Sequence, residues 1–255
     1  MLRILGLEGK KTVQSITLWV IFAIMLAISF LYSKSAFAKF PDVLYEYGQQ
    51  KTGEAISRGE YVFYRTMGDA SFTAWMSIIA GALLIGLDFQ QRTINNLIYA
   101  GYRRVSILLI KLFYFYLSAI LLSALYPITA CLIYSTKWLS GLTQDDVAYV
   151  LRCVVCRLPI DMAMMSFSLI IVFIFKDVIR SIVVSLIITV GMAMLLNAMS
   201  GTGYIVDYFP ARVIRVVMER NAPIETIKNA MLYSTTMVAI TCITCFLLFR
   251  KTDLK

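Results

Sequence analysis

Histidine is absent from the chain. Its absence excludes a histidine-based proton relay at neutral pH and removes the commonest metal ligand. Charge is sparse as well. Asp, Glu, Lys and Arg make up 15% of the 255 residues, where a soluble domain carries about 25%. Acidic side chains are the scarcer sign, 15 against 24 basic ones, for a net charge of +9. The basic residues are scattered along the chain, which argues against a nucleic-acid face and for an anionic lipid surface. A phosphate-binding loop is missing: Gly9-Lys10-Lys11 lacks both the Ser/Thr and the upstream Gly that such a loop requires. The five cysteines include the pairs Cys153/Cys156 and Cys242/Cys245. Both lie in apolar helical runs, where this spacing puts small residues on one face. Packing explains them, and no metal site is expected.

What the chain has is apolar residue, 60% of the total, gathered into runs long enough to cross a bilayer. The runs are 15–32, 72–87, 105–134, 150–175, 182–198 and 230–249. They predict an all-α, polytopic membrane protein of about six spans in a single transmembrane domain. The first run exceeds the usual apolar core of a signal peptide and is read as an uncleaved span, although Ala36-Phe37-Ala38 resembles a cleavage site. Ahead of it, Leu2, Ile4, Leu5 and Leu7 with Arg3 fit a short interfacial helix. Six spans put both termini on one side. Lys10, Lys11, Arg103, Arg104, Lys176, Arg180, Arg250 and Lys251 all lie near span ends, and that placement predicts cytoplasmic termini.

The segment after the second run is the most informative. Asp88 is suited to capping a helix N-terminus. Ile94, Leu97 and Ile98 fall on one helical face. Gln91, Arg92, Asn95 and Asn96 face elsewhere, and Gly101 is a suitable stop. The pattern predicts a short amphipathic helix at the cytoplasmic surface, either a plain connector or a docking helix for a cytosolic partner. Before the sixth run, Asp207 and Pro210 mark a helix start. Val213, Ile214, Val216 and Val217 are interleaved there with Arg212, Arg215, Glu219 and Arg220. Pro223 and Glu225 open the last helix.

This layout resembles the membrane subunits of type-2 ABC exporters, which include drug and bacteriocin-peptide efflux permeases. In that family an acidic residue ends the second span, and a coupling helix with a Gly-Thr pair follows. A stretch bearing Gly or Pro, then Arg, an aliphatic residue and Lys leads into the third span. Here Asp88 takes the acidic position, where Glu is commoner, and Thr93-Ile94 matches the second half of the Gly-Thr element. Arg92 stands where Gly is usual. Gly101, Arg104, Leu108 and Lys111 match the entry stretch without its frequent Pro. The resemblance in layout covers nearly the whole chain. It implies a bacterial permease in the cytoplasmic membrane that pairs with a second permease subunit, the same or a related chain. Two cytosolic ATP-binding subunits would hold ATP and Mg. The coupling helix would contact them through Asp88, Gln91, Arg92, Asn95, Asn96, Tyr99, Arg103 and Arg104. The segment before the last span would be an outer re-entrant hairpin, or else an ordinary interfacial helix. Leu139-Ser140-Gly141-Leu142-Thr143-Gln144 is similar to the ABC signature, but its spacing is wrong and it falls in an outer loop. The ATPase is therefore expected in a separate chain, and this chain is expected to be a transport subunit, not an enzyme.

Arg152, Arg157 and Asp161 sit in the outer half of the fourth run, with Pro159 among them. A charge at the bilayer centre costs about 2.5–3.5 kcal/mol on insertion scales. Arg157 and Asp161 are one helical turn apart and suited to pairing, and Pro159 frees the Val155 carbonyl as an acceptor. These charges either line a substrate path or lie at the interface. Lys111 is expected to snorkel. The function expected is ATP-driven export of a hydrophobic or amphipathic peptide or drug. The alternatives are an ATP-independent transporter, which broken helices and inverted repeats would favour, and a membrane-embedded enzyme, for which facing runs offer no paired carboxylates.

Overall fold

The computed structural model describes residues 6, 9, 10, 16–38, 58–198 and 209–250, and no strand occurs among them. The helices are α1 (Ile16–Ala38), α2 (Arg58–Met67), α3 (Ala70–Gly81), α4 (Leu87–Gln90), α5 (Thr93–Tyr99), α6 (Arg104–Tyr134), α7 (Thr136–Ser140), α8 (Gln144–Phe175), α9 (Val178–Ala198), α10 (Pro210–Val217) and α11 (Ile224–Arg250). A π-helical turn, Ala82–Gly86, joins α3 to α4. The all-α class expected from the runs is the one observed.

Four helices are long and apolar enough to cross a membrane: Arg104–Tyr134, Gln144–Phe175, Val178–Leu196 and Ile224–Arg250. They correspond to the last four expected spans and are compatible with a membrane-embedded, multi-pass protein. The stretches Trp19–Ser35 and Ile78–Gln90 are apolar helices of shorter length and correspond to the first two. The proposed interfacial helix around Leu2 and the helix-start residue Asp207 lie outside the described residues.

Local chemistry moves several boundaries away from the apolar runs. α8 begins at Gln144 rather than Val150 because Thr143 and Asp146 form a capping box. The Thr143 backbone N–H donates to Asp146 Oδ2 at 3.0 Å, and the Asp146 N–H donates to Thr143 Oγ1 at 3.4 Å. Such reciprocal bonds satisfy donors that a helix start leaves open. α8 ends where Lys176 turns left-handed (φ 53°). α10 starts with Pro210 in its first turn, as expected, and Phe209 precedes it as N-cap. α2 falls inside a segment, 34–68, that reads as polar; it buries Tyr61, Val62, Phe63 and Thr66.

The buried apolar residues form two separate clusters. The larger joins α3 to α6, α8 and α11 around Phe72, Ile85, Phe115, Met165, Leu169 and Phe249. The smaller lies at the other end of α8 and joins it to α2 and α10 around Phe63, Tyr149, Cys153, Ile160, Ile214 and Met218. α9 is largely uncovered, with Ile179, Ile187 and Met194 each more than 65% exposed. An apolar helix left open in this way suits contact with lipid or with another helix.

Candidate functional site

The chain stays helical past Asp88, which lies in the first turn of α4 and is buried. The N-cap role expected for it is therefore incorrect. Its carboxylate is taken by Lys111 Nζ, whose side chain is 5% exposed. Lys111 does not snorkel, because an opposite charge on the neighbouring helix holds it inside. A buried pair of this kind contributes little net stability, but losing one partner leaves an uncompensated charge.

The break comes three residues later. Arg92 adopts a left-handed backbone (φ 55°, ψ 20°) as the N-cap of α5. α5 lays Ile94, 1% exposed, into the larger core, and Leu97 and Ile98 pack beside it. Gln91, Arg92, Asn96, Arg103 and Arg104 are exposed, Asn95 is half-buried, and Tyr99 is 76% exposed. The helix ends as its glycine implies. Gly101 has φ 85°, its N–H donates to the Ile98 carbonyl at 2.9 Å, and the Tyr102 N–H donates to the Leu97 carbonyl at 3.2 Å. This is the Schellman pattern, which a left-handed glycine satisfies without strain.

Around α4 and α5 the ends of the long helices are tied together. Gln90 Nε2 donates to Asp177 Oδ2 at 2.7 Å, and Asp177 Oδ1 accepts the Arg180 N–H at 2.9 Å at the start of α9. The Arg180 N–H, and then Gln90, hold the Asp177 carboxyl below its ordinary range. Phe89 meets Phe173 of α8 and Phe249 of α11 edge-on, at centroid distances of 5.6 and 6.4 Å. Arg104 Nη1 donates to the Arg250 carbonyl at 3.4 Å. The exposed polar face of α5 thus projects from a hub connected to α6, α8, α9 and α11.

Arg157 and Asp161 form a second buried pair, with Nε to Oδ2 at 2.9 Å and side chains 7% and 4% exposed. Ser123 Oγ of α6 donates to the same carboxylate oxygen at 3.1 Å. Arg157 Nη1 donates to the carbonyls of Thr66 (2.9 Å) and Met67 (3.0 Å). These carbonyls close α2, so the guanidinium caps a helix C-terminus and meets its dipole favourably. The pair expected from the one-turn spacing is present. Both side chains are buried inside the protein, and their bonds tie α8 to α6 and to the end of α2.

Beyond α8's first turns lies a third constellation. Arg220 bridges Glu60 of α2 (2.8 Å) and Asp146 of α8 (2.7 Å). Arg152 donates to the backbone carbonyls of Glu219 and Arg220, the latter at 3.1 Å, and Tyr149 Oη donates to the Met218 carbonyl at 2.9 Å. Glu60, Asp146 and Arg220 were not recognised as a group from sequence. The Thr143–Asp146 capping pattern was the one legible signal. All five cysteines are free thiols, and no cluster of three or more potential metal ligands occurs among the described residues. No protein-family model, no curated protein and no solved structure matches the chain.

Proposed function

We propose that this protein is the permease subunit of an ATP-driven exporter, moving a hydrophobic or amphipathic peptide or drug across the cytoplasmic membrane. The carrying observation is α5. It is a short helix sealed to the bundle by Ile94, with its polar residues outward, and it follows α4, whose Phe89 and Gln90 reach α8, α11 and the start of α9. A surface connector has no need to be fixed to so many helices, whereas a docking helix that passes force into the bundle does. On this reading both termini and α5 are cytoplasmic, and α10 belongs to an outer re-entrant segment. A second permease chain completes the pathway, and two cytosolic ATPase subunits bearing ATP and Mg dock on Gln91, Arg92, Asn95, Asn96 and Tyr99. The resemblance to type-2 exporters supports the same arrangement.

The test is co-purification of the chain with a cytosolic ATPase, before and after Asn95→Asp with Asn96→Asp. The variant is expected to insert at wild-type level yet lose the ATPase, or to leave its hydrolysis uncoupled from transport. A double variant that assembles and transports normally would remove α5 from the coupling role. A wild-type chain that captures no ATPase would remove the exporter reading itself.

A further inference from the structure

The two apolar clusters divide the molecule unevenly, and the smaller one has a consequence for motion. Its roof consists of Phe63 of α2 with Val213, Ile214, Val217 and Met218 on and just after α10. Its floor is Cys131 of α6, Tyr149, Cys153, Cys156 and Ile160 of α8, and Ala230 of α11. α2 and α10 touch each other: a Cβ on Gly68 would sit 3.5 Å from Arg215 Cα, and Tyr64 Oη donates to Glu219 at 3.5 Å. Each helix ends in a non-helical joint, Gly68–Asp69 after α2 and 219–223 after α10. α2 is also rooted in the larger cluster through Val62, 0% exposed, and in the end of α6 through Ser135 Oγ, which donates to the Gly59 carbonyl at 2.8 Å, so α10 is the part of the roof able to open separately from the rest of the fold.

Beside the buried apolar side chains of α10, a set of polar fastenings holds this roof at its rim. Arg220, with its side chain 40% exposed, grips Glu60 on the roof and Asp146 on the floor helix with separate nitrogens. Its guanidinium also lies over the Tyr149 ring at 5.7 Å. Arg152 and Tyr149 hold the carbonyls of residues 218–220, and deeper in, Arg157 holds the last carbonyls of α2. A half-exposed bridging arginine is the fastening most easily released, because salt screens it and water can replace either carboxylate.

We propose that α10 is a hinged cap, clasped to α2 and α8 by Arg220, which opens and uncovers the cysteine-bearing floor. The cap requires no particular membrane orientation and does not depend on the exporter reading.

The native thiols report on it. Cys153 and Cys156, 0% and 4% exposed, lie under the cap, whereas Cys245, also 0% exposed, belongs to the larger cluster. The experiment measures the labelling rate of each cysteine by poly(ethylene glycol) maleimide, an uncharged reagent kept out of the bilayer. The full chain is placed in nanodiscs, where both faces are accessible. Raising salt, or substituting Arg220→Gln, is expected to speed labelling of Cys153 and Cys156 roughly fivefold, the factor that ~1 kcal/mol makes in an opening equilibrium. Cys245 should stay at its wild-type rate. Removing the Arg220 charge by itself disfavours nearby thiolates, so acceleration cannot come from altered thiol reactivity. Should Arg220→Gln fail to fold, the salt series in the wild-type chain makes the same test, with Cys245 as its internal control. Unchanged rates at Cys153 and Cys156, or equal acceleration at Cys245, would overturn the clasped cap.

Discussion

The buried Asp88–Lys111 pair offers the sharpest test of how the α4–α5 end is built. Both side chains are about 95% removed from solvent, and they join two helices 23 positions apart in sequence. Asp88→Leu leaves an ammonium without its carboxylate, and Lys111→Met leaves the converse. Removing one member of a buried pair costs about 3–5 kcal/mol, while replacing both by apolar groups of similar volume is often neutral. For a chain of this size ~1 kcal/mol moves Tm by roughly 2–4 °C. Each single variant should therefore melt about 6–20 °C lower, and the double variant within about 4 °C of wild type.

The assay is thermal unfolding of purified protein for all four members of the cycle, with ΔTm giving the coupling. A second readout is tryptic cleavage at Arg92, which is exposed and lies one turn beyond Asp88. It should accelerate in the singles and return toward wild type in the double. If the two single effects simply add, the side chains do not act as a pair. The claim that α4 is pinned to α6 by charge would then fail.

Arg92 sits in a left-handed conformation that costs a side-chain-bearing residue about 1–2 kcal/mol, so Arg92→Gly should raise thermal stability by about 1 kcal/mol in denaturant or thermal unfolding. Asp177 is held below its ordinary range by the Arg180 N–H and by Gln90. Its stabilising contribution is complete above the unfolded carboxylate pKa and is lost as pH falls through the lower folded value. Asp177→Asn should therefore flatten the acid limb of a Tm-versus-pH curve. For the interior pair, Asp161→Ala should reduce folded yield more than Asp161→Ala combined with Arg157→Ala, and additive effects in that cycle would show that the two residues do not interact.

The features read correctly from sequence are those carried by local spacing. The positions of Ile94, Leu97 and Ile98 defined α5, Gly101 supplied its left-handed stop, and the one-turn separation of Arg157 and Asp161 signalled their bond. The features missed depend on which helices lie side by side. Nothing local ties Lys111 to Asp88, and its placement near a run's start made snorkelling the natural reading. Glu60 and Arg220 are 160 positions apart, and their meeting follows from α2 folding over the end of α8. α2 itself was hidden because its main apolar run, Tyr61-Val62-Phe63-Tyr64, is only four residues long and lies between Glu60 and Arg65. A run of consecutive apolar residues carries no helical period, so its length and charged neighbours point to a loop.

α8 is the element on which these observations converge. Its first turns carry Asp146, Tyr149 and Arg152 against the cap, its middle carries Arg157 and Asp161, and its last turn carries Phe173 against Phe89 and Phe249. At ~1.5 Å per residue the helix is about 48 Å long, enough to place the α4–α5 hub and the cap at opposite ends of one continuous rod. A tilt of α8 imposed at Phe173 would move Asp146 relative to Arg220 and Arg157 relative to the α2 carbonyls. Such a tilt would act on the cap's fastenings before it disturbed the larger apolar cluster, since charged hydrogen bonds lose strength steeply with misalignment while apolar contacts tolerate small shifts. Pro159 lies in α8 between Arg157 and Asp161, and a proline removes one backbone hydrogen bond where it interrupts a helix. The rod is therefore weakest beside its buried ion pair. Holding Arg157 to both Asp161 and the end of α2 stiffens the helix at that weak point, and it gives the pair a mechanical role that requires no contact with a transported molecule.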